Sequence, residues 1–132
     1  MKHLRRLMLA GLVLLALASH PAAAGPNGCT NDPTLESFAD EQITVSSSAI
    51  GFTAGTFSPS GAQPAVYASF VVETNAIRYR DSGLNPTSTV GIPMAAASAW
   101  AVCDTATISR VRFIRQSADA TVSASYYRRK AQ

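Results

Sequence analysis

Histidine is missing from most of this chain: His3 and His20 are the only two, and none follows residue 20. Lysine is nearly as scarce, since beyond Lys2 there is only Lys130, close to the end. A body without histidine excludes Ser-His-Asp and Cys-His nucleophile systems, and with them the common metal triads. A terminal lysine is a poor candidate for Schiff-base or phosphate chemistry. Two cysteines, Cys29 and Cys103, cannot build a four-ligand zinc site of the usual kind without histidine. No Gly-rich loop leads from a strand into a helix, so nucleotide-binding motifs are absent. No apolar run after the first 24 residues approaches the ~20 needed to cross a bilayer. Neither a cofactor nor a metal is expected.

What is present begins with a leader. Lys2-His3-Leu4-Arg5-Arg6 is a cationic stretch, and residues 7–18 are apolar apart from Gly11. Roughly a dozen apolar residues suits the core of a signal peptide and is too short for a membrane span. His20-Pro21 ends that helix, because proline cannot continue it and restricts the residue before it. Ala22-Ala23-Ala24 then supplies a small-residue cleavage site, so residues 1–24 read as a signal peptide cut before Gly25. The competing reading is an uncleaved N-terminal anchor. Cleavage predicts an exported protein, periplasmic or secreted, with no membrane span remaining.

Cleavage also rewrites the charge. The chain carries 11 Lys+Arg against 8 Asp+Glu, a formal +3. Lys2, Arg5 and Arg6 leave with the leader, so eight cations face eight acids in the remainder. A neutral, exported body does not support nucleic-acid binding. An oxidising compartment favours a disulfide between Cys29 and Cys103 over two separate buried thiols. It would close a loop worth roughly 4–5 kcal/mol in the chain-entropy account. It would also pin an N-terminal arm, residues 25–41, onto a domain over residues 42–128, with 129–132 as a tail.

The body reads as strands and turns. Val, Ile, Thr, Phe and Tyr cluster in short runs separated by Gly, Pro, Ser and Asn. Strands are expected at residues 43–45, 49–53, 65–73, 76–80, 89–92, 100–103, 107–116 and 120–127. Residues 93–98 are Ala-rich and leave a short helical turn open. In Ala76-Ile77-Arg78-Tyr79-Arg80 the alternation sends Ile77 and Tyr79 one way and the two arginines the other. No segment of the body holds a helical stripe over three turns. Six to eight short strands predict an all-β fold, a single β-sandwich or Greek-key-like domain.

Arginine is the one chemistry-bearing residue in quantity. Arg78, Arg80, Arg110, Arg112 and Arg115 fall on two expected strands. If those strands are neighbours, Arg78, Arg80, Arg110 and Arg112 form a stripe suited to carboxylate, sulfate or phosphate groups of a partner. The plainer alternative is cross-strand pairing with Glu73, Asp81 or Asp119. Those acids, with Asp104, are the candidates for a hydrolytic carboxylate pair, but they sit at strand ends and turns, where short acids cap and solvate. Asp81-Ser82-Gly83-Leu84-Asn85 lacks the third acid and terminal Glu of a calcium loop and reads as a hairpin turn. Trp100, Tyr67, Tyr79 and Tyr126 are in phase with apolar neighbours and read as core, leaving Tyr127 as the aromatic to stack on a sugar. A non-enzymatic module is therefore expected, with a protein, an envelope or cell-surface component, or another copy of itself as partner. A glycan is the alternative.

The order of these motifs carries a resemblance. Ala76-Ile77-Arg78-Tyr79-Arg80, Pro86-Thr87, Val90-Gly91, Val111-Arg112-Phe113-Ile114-Arg115, Ala120-Thr121-Val122 and Tyr126-Tyr127-Arg128 together resemble small β-sandwich proteins encoded among tailed-phage structural genes. The likeness spans residues 43–128 and implies a virion surface or accessory module that packs against other copies or other proteins. The leader and the cysteine pair depart from that pattern. They imply either a module borrowed for a secreted role or a prophage product acting in the envelope. Residues 79–87 also resemble a hairpin of sandwich domains appended to secreted glycosidases, with Ser82 inserted between Asp81 and Gly83.

Overall fold

The computed structural model describes residues 32–131; the leader, the proposed cleavage site, Cys29 and Gln132 lie outside them. Seven strands and two short helices follow in the order β1 (Leu35–Val45), α1 (Ala54–Phe57), β2 (Tyr67–Thr74), β3 (Ile77–Arg80), β4 (Ile92–Met94), β5 (Ala99–Cys103), α2 (Thr105–Arg110), β6 (Arg112–Arg115) and β7 (Ala120–Arg129). They form two antiparallel sheets. The first has the strand order β1-β7-β2-β5 and the second β4-β3-β6. The fold is an all-β sandwich, as the alternation predicts.

Period-two patterning explains the layers. On β7, Ala120, Val122, Ala124 and Tyr126 are buried while Thr121, Ser123, Ser125 and Tyr127 are only partly so. On β2, Ala68, Phe70 and Val72 point inward. From the second sheet come Ile77, Tyr79, Met94 and Phe113. Rings meet edge-on at the centre: Phe70 lies 5.3 Å from Phe113 and 6.0 Å from Tyr79, centroid to centroid. Each such pair adds about 0.5–1.5 kcal/mol beyond the area it buries.

Three segments depart from the sequence reading. β1 begins at Leu35, so the second half of the expected arm is an edge strand paired with β7 along its whole length. Sequence patterning hides it, because Glu36, Asp40 and Glu41 interrupt the apolar residues. Residues 49–53 contribute only a bridge from Ile50 to Phe113 rather than a strand. Phe52 from this segment instead drops into the core, 5.1 Å from Phe113 and 5.6 Å from Tyr126.

The third departure is residues 107–116. Their first part is helix α2, and the strand begins only at Arg112. Asp104 causes the switch. Its carboxylate accepts from the Thr107 backbone N–H at 2.7 Å and the Thr107 hydroxyl at 2.9 Å, a helix N-cap. β4, meanwhile, is the expected return strand displaced by a few residues into the Ala-rich region, and a turn closed by Ser98 N–H to Ala95 C=O follows.

Candidate basic face

β3 and β6 are neighbours. Their register places Arg80 opposite Arg112, Arg78 opposite Ile114, and Tyr79 opposite Phe113. Tyr79 and Phe113 are buried, so Arg78, Arg80 and Arg112 share the outward face of the second sheet. Arg110 is not on this strand. It is the last residue of α2, a correction to the sequence expectation. It still lies close by: Gly83 N–H donates to the Arg110 carbonyl at 3.1 Å, holding the turn after Arg80 against the helix end. Arg115 falls in the opposite phase and pairs with Asp119 at 2.5 Å.

The four arginines divide into two kinds. Arg78 is a latch: Nε donates to the Ser88 carbonyl at 2.9 Å and Nη1 to the Gly91 carbonyl at 2.8 Å. It ties the loop of residues 81–91 back onto β3. Gly91 permits this with φ +125°, and a Cβ there would meet the Tyr79 carbonyl at 3.0 Å. Arg112 folds down, donating to the Val111 carbonyl at 2.8 Å and the Ser109 carbonyl at 3.1 Å. A Cβ at Gly51 would sit 2.6 Å from that guanidinium, so the missing side chain makes room for it.

Arg80 and Arg110 are the other kind. Among the described residues neither makes a side-chain hydrogen bond or ion pair. Arg110 borders an open depression of about 500 Å³, with Asp81, Ser82, Cys103, Asp104 and Thr107 around it. Asp104 is held below the usual carboxylate range, chiefly by the Thr107 N–H, then by the Thr107 hydroxyl, the Ala106 N–H and the charge of Arg110. Its backbone has φ +59° and ψ 145°, a region normally kept for glycine. The chain takes that conformation where it leaves β5 and turns straight into α2.

The acids singled out in the sequence mostly hold the structure together. Glu73 accepts from Gln42 and Ser123, and Asp119 pairs with Arg115. Glu41 accepts from the Tyr126 hydroxyl and from Thr53 N–H. Burial, with that same carboxylate, pushes the Tyr126 phenol well above its ordinary value. Burial also raises Tyr79 to about 12, helped by the charge of Asp81. Among the described residues no group of His, Cys, Asp and Glu is arranged to hold a metal.

The aromatics partly differ from expectation. Tyr79 and Tyr126 are core, and Trp100 packs partly buried against it. Tyr67 instead joins Tyr127 on the outer face of the first sheet, at 5.2 Å and 68° between ring planes. That is an edge-to-face pair, not a flat platform. A second depression of about 400 Å³ is lined by Ser47, Thr87, Ser88, Ile114, Arg115, Gln116 and Ser117. Sequence reasoning missed it, because three separate segments bring its hydroxyls together. Cys103, the last residue of β5, is half-buried, and its expected partner Cys29 lies outside the described residues.

The fold and this face define the class: a small antiparallel β-sandwich with an arginine-bearing outer sheet. Compared with known proteins, the chain matches no family model, no curated protein and no solved structure.

Proposed function

We propose that this chain is an exported, non-enzymatic binding or assembly module that recognises an acidic partner surface through the outer face of the β4-β3-β6 sheet. The observation that carries the reading is Arg80 set opposite Arg112, with Arg110 at the adjoining helix end. Like charges directly opposite on a sheet are unfavourable. Arg112 eases the conflict by folding onto backbone carbonyls, whereas Arg80 and Arg110 keep unspent hydrogen-bond donors. Guanidinium groups of that kind suit bidentate contact with carboxylate, sulfate or phosphate. Six of the 8 acids are occupied in caps, turns and pairs, which favours binding over carboxylate chemistry. The partner is a protein or an envelope component, as on a phage-virion-like accessory module. Export and the Cys29–Cys103 disulfide belong to the same reading.

The test is co-sedimentation with isolated cell envelopes at rising salt. The double variant Arg80→Ala/Arg110→Ala should lose binding, and Arg112→Ala should lose less. Unchanged binding by a folded double variant removes the face from consideration. N-terminal sequencing of the exported chain should begin at Gly25.

A second reading, glycan binding, is favoured by the hydroxyl-lined depression with Arg115 at its edge. A glycan array without hits rejects it.

A further inference from the structure

The arginine face and the hydroxyl-lined depression of about 400 Å³ are parts of one surface, and Ile114 joins them. It stands opposite Arg78 in the β3–β6 register, on the outward side with Arg80 and Arg112, and it also lines the depression. Residues two apart on a strand share a face at a spacing of about 7 Å. Arg112 therefore follows the depression at that spacing, with Arg80 directly across from it. None of these side chains lies on the sheet that carries Cys103.

The Arg78 latch fixes one part of the depression. It holds the Ser88 carbonyl at 2.9 Å, and the Thr87 hydroxyl oxygen accepts from Val90 N–H at 3.0 Å, so Thr87 and Ser88 keep their places. Ser47, Gln116 and Ser117 come from two other segments. Among the described residues the side chains of Ser47, Ser88, Gln116 and Ser117 make no hydrogen bond. Hydroxyls and an amide both donate and accept, and Ile114 is the one apolar side chain in the lining. That combination suits a sugar ring, which has polar hydroxyl edges and an apolar C–H face. The neighbouring cations also have donors to give. Arg80 makes no side-chain bond, Arg112 spends only Nη1, and Arg78 spends Nε and Nη1. The outward residues here are Pro93, Arg78, Ile114, Arg80 and Arg112, with no acid among them. Cations opposed on a sheet repel, and an anion laid across them removes that cost.

We propose that this surface binds an acidic polysaccharide. One sugar ring rests on Ile114 within the hydroxyl-lined depression, and a carboxylate, sulfate or phosphate of the same chain lies against Arg112 and Arg80. The inference rests on the basic-face reading and names its partner. The lining selects a glycan over an acidic protein. Protein interfaces centre on apolar and aromatic anchors seated in fitted pockets. This depression offers such an anchor a single aliphatic side chain among hydroxyls. An acidic peptide would engage the arginines and leave the hydroxyls unused, whereas an acidic sugar chain uses both at the spacing β6 sets.

The experiment is calorimetric titration of the exported chain with oligomers of polygalacturonate, dextran sulfate and neutral dextran. Binding to at least one acidic chain is expected, weakening as salt rises, with none to neutral dextran. Ser47→Ala/Ser117→Ala changes two exposed positions and should weaken binding about tenfold through two lost hydrogen bonds, with the denaturant midpoint unchanged. Arg80→Ala removes charge-assisted contacts and should weaken it by about tenfold or more. No binding to either acidic chain, equal binding to neutral dextran, or binding untouched by the serine pair overturns the inference. If envelopes are still bound through Arg80 in those cases, the basic face stands and its partner is an acidic protein. If Arg80→Ala/Arg110→Ala binds both envelopes and acidic chains normally, the basic face fails, and this inference with it.

Discussion

Replacing Arg78 by alanine separates stability from recognition on a face where both have been assigned to arginines. Two bonds are lost, one to the Ser88 carbonyl and one to the Gly91 carbonyl. The first is exposed, so water replaces it at a net cost below about 1 kcal/mol; the second is partly buried and charge-assisted, worth about 1.5 kcal/mol. The sum is about 2 kcal/mol, a large share of the roughly 5–15 kcal/mol expected for a domain of this size. Denaturant titration should move the midpoint without a large change in slope. Arg78→Lys should recover less than half, since one ammonium cannot span both carbonyls as the guanidinium fork does. Arg80→Ala, with no bond to lose, should fall within about 0.5 kcal/mol of the parent. Envelope binding should show the reverse order, with Arg80→Ala the more damaging. An Arg78→Ala protein as stable as the parent refutes the latch. The same protein failing to bind while Arg80→Ala binds normally refutes the division of roles.

Tyr126→Phe removes the hydroxyl that donates to Glu41, which keeps Thr53 N–H, and should cost about 1.5–2.5 kcal/mol in the same titration. The raised phenol pKa means the folded state favours the proton. Stability from this group is therefore whole below the ordinary tyrosine pKa of 10.0 and falls as pH rises above it, a loss that Tyr126→Phe should abolish. Asp104→Ala removes the α2 cap and should cost about 1 kcal/mol, while Asp104→Gly should cost less, since it relieves the φ +59° backbone. Because the Asp104 pKa is lowered, its contribution is present above the ordinary value of 3.8 and lost as pH falls through the folded pKa; acid titration of parent against Asp104→Ala checks it. The disulfide predicts a mass two hydrogens higher after reduction, and none of that shift in Cys103→Ser.

The sequence by itself determined the class of fold, because a period of two leaves little choice. Ala120, Val122, Ala124 and Tyr126 bury one face of β7 whatever the strand order, and Ile77 and Tyr79 do the same on β3. It also determined that Arg78 and Arg80 point outward, since their phase is opposite to those two. Where charge broke the alternation, as in β1, pattern and strand parted company. Where a cap competed with it, as Asp104 does at residues 105–110, a local hydrogen bond outweighed the β-like composition. Only the tertiary structure decided which arginines have their donors satisfied. That depends on carbonyls at Ser88, Gly91, Ser109 and Val111, which chain reversal brings under the guanidinium groups. Strand order was likewise invisible, because pairing energies along antiparallel strands are too alike to rank neighbours. The order β1-β7-β2-β5 is what leaves the uncharged strand of that sheet, β5, at its edge.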